Sequence, residues 1–125
     1  MARTYHTRIA AFAADANEKW VDNLLSHAAI SGVTGGTRGV SRRISTTGIK
    51  HIALVHRLNK VVGLSVDAAV VLAERLLGSA AEHAHLADAL ELHFDRRSFD
   101  REVDARLADA VESVLPPRRG RPKQR

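Results

Sequence analysis

Cysteine is absent from the 125 residues, which excludes disulfides, iron–sulfur clusters and thiolate zinc sites. Aromatic residues are nearly absent too. Three Phe, one Tyr and one Trp leave Leu, Ala, Val and Ile to fill the core, and that favours helices over a β-sandwich. Proline occurs only in the last ten residues. No stretch approaches a membrane span, and the start, Met1-Ala2-Arg3-Thr4-Tyr5-His6, lacks the apolar run of a signal peptide. The expectation is a cytoplasmic protein, with an Ala- and Arg-rich composition of bacterial type. At 45% hydrophobic, the chain can build one compact domain with a modest core, plus appendages.

What is present is charge, and it is segregated. Residues 1–66 carry nine Lys/Arg against three Asp/Glu, a net of +6. Residues 67–115 carry five against eleven, a net of −6, and the last ten residues add +5. A basic module and a basic tail flanking an acidic segment suggest two nucleic-acid contacts and a third, different surface.

The tail, Pro116-Pro117-Arg118-Arg119-Gly120-Arg121-Pro122-Lys123-Gln124-Arg125, has five cations in its final eight residues. It has no apolar side chain to pack, so it cannot fold alone, but it can lie along a polyanion. Arg119-Gly120-Arg121-Pro122 resembles the core of the AT-hook, a short DNA-binding motif. The resemblance implies an extended Arg-Gly-Arg unit in the narrow minor groove of A/T-rich duplex, where glycine permits close approach and arginine meets enhanced negative potential. Arg118, Arg119, Gly120, Arg121 and Lys123 are the contacts it implies. The bland alternative is a solubilising tail, or one drawn to RNA or a membrane.

Residues 9–14 form a short apolar helix candidate, stopped at Asp15-Ala16-Asn17. Asn17 caps a second helix over residues 18–28, where Trp20, Val21, Leu24, Leu25 and Ala28 make an apolar stripe. Two short helices across a three-residue turn are a helix-turn-helix pattern. Residues 30–44 are Gly-rich and β-branched and predict a hairpin with its tip near Gly35-Gly36. Ser45, Thr46 and Thr47 offer caps for a helix over residues 48–62; Gly63 ends it, and Ser65 caps the next, over residues 66–77.

That order, with Arg42-Arg43-Ile44-Ser45 entering a helix and Gly63-Leu64-Ser65 entering the next, resembles the winged helix-turn-helix DNA-binding domain of MerR-type regulators over about residues 8–77. The aromatic-rich end of the family's recognition helix is missing here, and Trp20-Val21-Asp22-Asn23 is not its sequence. The resemblance implies the fold more than any effector function, and no metal-sensing loop is present.

Residues 90–95 alternate apolar and polar, a strand, and Ser98 is a candidate cap for a helix over residues 99–115. A lone strand followed by an amphipathic helix buries itself poorly and calls for a second copy or a partner. Leu92, Phe94, Phe99, Val103, Leu107 and Val111 are the expected interface. The fold expectation is mainly α: a winged helix-turn-helix with a small hairpin wing (residues 1–78), an acidic strand–helix dimerisation or partner unit (residues 79–115) and the tail (residues 116–125).

Lys19, Asn23, Ser26 and His27 on the second helix are candidate base readers, since Asn pairs with adenine and Lys with guanine. Arg38, Arg42 and Arg43 on the hairpin are candidate phosphate contacts; the alternative is a charged edge strand that discourages aggregation. Trp20 reads as core. Seven histidines invite a metal, but His83-x-His85 lies in an Ala-rich segment, and His51 and His56 diverge on a helix. No metal, cofactor or catalytic residue is expected, and Gly35-Gly36-Thr37-Arg38-Gly39 lacks the ending of a phosphate loop. The functional expectation is a DNA-binding transcriptional regulator, a homodimer on A/T-rich or palindromic duplex that represses its own operon. Its plan is similar to antitoxins of type II toxin–antitoxin pairs, which implies a basic protein partner such as a toxin. The alternative is a nucleoid-associated architectural protein for nucleoid organisation or plasmid partition.

Overall fold

A computed structural model describes residues 3–37 and 39–114. The chain is mainly helical with two small antiparallel sheets. In order, it runs β1 (Thr4–Tyr5), α1 (Thr7–Ala14), α2 (Glu18–His27), β2 (Val33–Thr34), β3 (Arg43–Ser45) and α3 (Thr46–Arg57). A π-helical turn (Leu58–Val62) follows, then α4 (Val66–Leu77), β4 (His83–Ala87), β5 (Leu90–His93) and α5 (Arg96–Ser113).

Local chemistry sets most of these boundaries. The Asn17 side chain accepts hydrogen bonds from the Lys19 and Trp20 amides, which starts α2. Ser45 accepts from the Gly48 amide at 3.1 Å and Ser65 from the Ala68 amide at 3.2 Å, capping α3 and α4. α5 begins earlier than Ser98: Asp95 is its cap, and its carboxylate accepts from the Ser98 amide at 3.1 Å. Aspartate is the better cap because its charge also complements the positive end of the helix dipole. The helix expected over residues 48–62 is α-helical only to Arg57 and then widens into the π turn, closed by Gly63 at φ +90°.

In the first sheet β3 is central, with β1 and β2 on either side. Tyr5 and Val33 both register opposite Ile44, whose side chain is fully buried. Because β1 leads straight into α1, this sheet ties the base of the α1–α2 pair to the hairpin. Gly32 (φ +89°) and Gly48 pack backbone against backbone: a Cβ on Gly32 would sit 2.4 Å from the Gly48 nitrogen. The hairpin turns later than expected, beyond Gly36: the Gly36 amide donates to Val40 O, and the Val40 amide to Thr37 O.

Residues 83–87, the Ala-rich segment that holds His83-x-His85, form β4 and pair with β5. The strand–helix segment therefore already has a second strand from its own chain. α5 also finds its partner within the chain. Its apolar face lies on α1, where Ala10, Ala11, Ala13 and Ala14 are buried and small enough to let neighbouring helices approach closely. Phe94, Phe99, Val103 and Leu107 belong to the same buried cluster as Leu24, Ile44, Ile52 and Leu76. For four of the six residues expected to meet a second chain the expectation is corrected: Phe94, Phe99, Val103 and Leu107 are buried within their own chain, while Leu92 is half-buried and Val111 exposed. Each such buried side chain contributes about 1.5–3 kcal/mol within the monomer.

Charges close the same seam. Arg106 donates to Phe12 O and pairs with Asp15 at 3.0 Å; Arg57 pairs with Glu102 at 2.9 Å; Lys50 reaches Asp100 at 3.3 Å and Asp104 at 3.5 Å. Much of the acidic face of α5 is thus answered by cations of α3, and the opposite charges of the two halves of the chain meet inside the molecule. Arg96 adds a clamp, donating to the carbonyls of Leu76, Ser79 and Ala81 at the end of α4.

Candidate nucleic-acid interface

α1 and α2 meet across Asp15-Ala16-Asn17, with Asp15 in the left-handed region at φ +60°. The turn is closed by the Ala16 amide donating to Ala11 O at 2.9 Å. This places Val21 and Leu24 of α2 in the core and leaves Lys19, Asn23, Ser26 and His27 exposed. Those are the four side chains singled out from sequence on this helix. Trp20, half-buried, packs on the core and meets the His56 ring edge-on at 4.7 Å between centroids. Burial, with Lys60 nearby, lowers the His56 pKa below its ordinary value, so the ring favours its neutral form.

The hairpin carries the next group. Arg42 does not project freely. Its guanidinium pairs with Asp22 of α2 at 3.2 Å and donates to the Ser26 hydroxyl at 2.9 Å, with the side chain 22% exposed. Arg42 thus braces the hairpin against α2, a role that sequence spacing did not reveal. Two of the expected contacts, Arg42 and Ser26, are engaged with each other. Arg43, on β3, is exposed and has no ion pair among the described residues. Arg38 lies outside the described residues, as do Arg118, Arg119, Gly120, Arg121 and Lys123 of the tail.

Two further contacts set the charge of this edge. Glu18, at the start of α2, lies 3.5 Å from Arg8, and His27, at its end, lies 3.5 Å from Asp67 of α4. The acids of α2 are therefore both engaged by cations of neighbouring elements, leaving Lys19 as the outward charge of the helix. The arrangement is a helix face that presents amide, hydroxyl, imidazole and cationic groups, with the hairpin joined to α2 through Arg42.

Compared with protein families, curated proteins and solved structures, the chain has no significant match.

Elsewhere, His83 Nε2 and His93 Nδ1 face each other at 3.1 Å across the β4–β5 hairpin, a contact that the sequence reading of His83-x-His85 missed. The strand register supplies the signal in retrospect: His83 stands opposite His93, and His85 opposite Glu91. Among the described residues no three metal-ligating side chains gather, and no helix is long and apolar enough to cross a membrane.

Proposed function

We propose that the protein is a sequence-reading DNA-binding regulator that uses α2 and the β2–β3 hairpin as one surface. The observation that carries the reading is the Arg42 brace. A side chain from the hairpin holds two groups on α2, so helix and hairpin meet a duplex in a fixed relation. On this reading α2 enters the major groove. Asn23 and Lys19 address base edges, His27 and Ser26 flank them, and the hairpin follows the phosphate backbone through Arg43 and Arg38. The order strand, helix, turn, helix, hairpin, helix also supports the likeness to the MerR-type winged helix-turn-helix.

The tail is assigned the minor groove beside that site, where its Arg-Gly-Arg unit gains most on A/T-rich sequence. The biochemical role is repression: a protein seated across both grooves of an operator excludes polymerase by occupancy alone. Because the apolar face of α5 is used within the chain, a dimer on a palindromic site needs another surface.

Selection from a randomised duplex pool tests the reading. The wild-type protein is expected to enrich a defined site, and Asn23→Ala to relax preference at particular positions by about 1–3 kcal/mol. A pool that stays random after several rounds, at a salt concentration where binding is measurable, would overturn sequence-specific regulation.

A further inference from the structure

A groove of about 540 Å³ opens between the end of α1, the π-helical turn, β5 and the first turns of α5. That volume suits a small molecule. Its floor is apolar, built from Leu54, Leu58, Leu92, Phe94 and Phe99, with Val62 at the edge. One wall is the π turn. The Leu64 amide reaches back to Leu58 O at 3.0 Å and Asn59 donates to Leu64 O at 2.8 Å, while Val61 is turned outward and 80% exposed. A π segment widens a helix at the expense of regular hydrogen bonding, and such segments occur often at binding sites.

The charges around the groove decide what it takes. Arg57 is neutralised by Glu102 at 2.9 Å and Asp15 by Arg106 at 3.0 Å. The Asp95 carboxylate caps α5 through the Ser98 amide. Lys60, exposed on the π turn, is the one charged side chain of the lining with no such partner among the described residues. An apolar floor with a single unanswered cation at its lip fits a ligand with an apolar body and one negative group.

We infer that this groove binds an amphiphilic carboxylate, a small organic acid whose carboxylate pairs with Lys60 and whose apolar body lies along the accessible Val61, Val62 and Leu92, above the buried Leu58, Phe94 and Phe99. This assignment is independent of the DNA-binding reading, and its test contains no DNA, so either can fail without the other.

The probe is decanoate, kept below its micelle-forming concentration and titrated into the full-length protein by calorimetry. Decylammonium, with the same tail and opposite charge, is titrated in parallel. Emission from Trp20 is followed as well; it is the chain's sole tryptophan and touches His56 of the groove wall. Saturable binding of one decanoate per chain is expected, with decylammonium at least about tenfold weaker. Lys60→Glu should weaken decanoate by about tenfold or more, and Lys60→Arg should keep it, since a charge-assisted pair carries roughly that factor. Lys60→Met, which keeps the apolar stem, should lie between wild type and Lys60→Glu, and circular dichroism confirms that the variants fold. Unsaturable heat, equal affinity for the two probes, or unchanged decanoate binding in Lys60→Glu and Lys60→Met would each overturn the inference.

Discussion

Replacing Asp22 by Ala separates two roles for Arg42 by the sign of its effect. Were Arg42 a direct phosphate contact merely resting against Asp22, removing the carboxylate would free the guanidinium and lift a negative charge off α2, the helix proposed to face DNA. Affinity for DNA would then rise. As a brace, Arg42 needs Asp22, and affinity falls because hairpin and helix no longer hold one relation. The structural energies are modest. Asp22 is 48% exposed and its pair with Arg42 spans 3.2 Å, which in a screened setting gives a coupling of about 0.5–1 kcal/mol. The bond from Arg42 to Ser26 at 2.9 Å adds about 0.5–1.5 kcal/mol, so Arg42→Ala should cost roughly 1–2.5 kcal/mol in urea unfolding. Fluorescence anisotropy on a labelled duplex, run on wild type, Asp22→Ala, Arg42→Ala and the double variant at one salt concentration, gives the cycle for binding. Both single variants should bind more weakly, with a coupling beyond the additive limit of about 0.3–0.5 kcal/mol. Tighter binding by Asp22→Ala, or full additivity, would refute the brace.

Val103→Ala and Leu107→Ala should destabilise the monomer by about 1–4 kcal/mol in urea, with no change of molar mass by light scattering, because both side chains are buried against their own chain. A change of mass without loss of stability would return them to an interface. The folded-state pKa of His56 is depressed by burial, so the unfolded chain binds the extra proton first as pH falls. Stability should therefore decline on acidification from just above the ordinary imidazole value down to the folded value and flatten below it; His56→Phe should remove that slope from the unfolding free energy. Deleting residues 116–125 should lower the log–log salt slope of DNA binding by at most about 4 units and penalise A/T-rich probes more than G/C-rich ones. Equal slopes for intact and truncated protein would make the tail a bystander.

Elements whose signals are local were legible in the sequence. Asn17, Ser45 and Ser65 cap the helices expected of them, and Gly63 closes the third, since a side-chain oxygen or a left-handed glycine acts within a turn of where it is written. The four exposed residues of α2 followed from its apolar stripe. What depended on distant neighbours was not legible. Residues 83–87 lack the β-branched and aromatic residues that announce a strand, and they become one by pairing with residues 90–93. The face of α5 looked unpartnered because its partner, the alanine-rich α1, lies some 90 residues earlier, as the contact of Arg106 with Asp15 records. Arg42 read as a free cation for the same reason: Asp22 is 20 residues away, and nothing local links the two.

On the proposed function, α2 and the hairpin are the surface that meets DNA. Backbone amide shifts of the isotope-labelled protein, followed during titration with its selected duplex, test it most directly. Perturbations are expected to concentrate at residues 18–27 and 33–45, with α5 and the β4–β5 hairpin left unmoved. Perturbations centred on α4 and the β4–β5 hairpin, or none at all under saturating duplex, would contradict it.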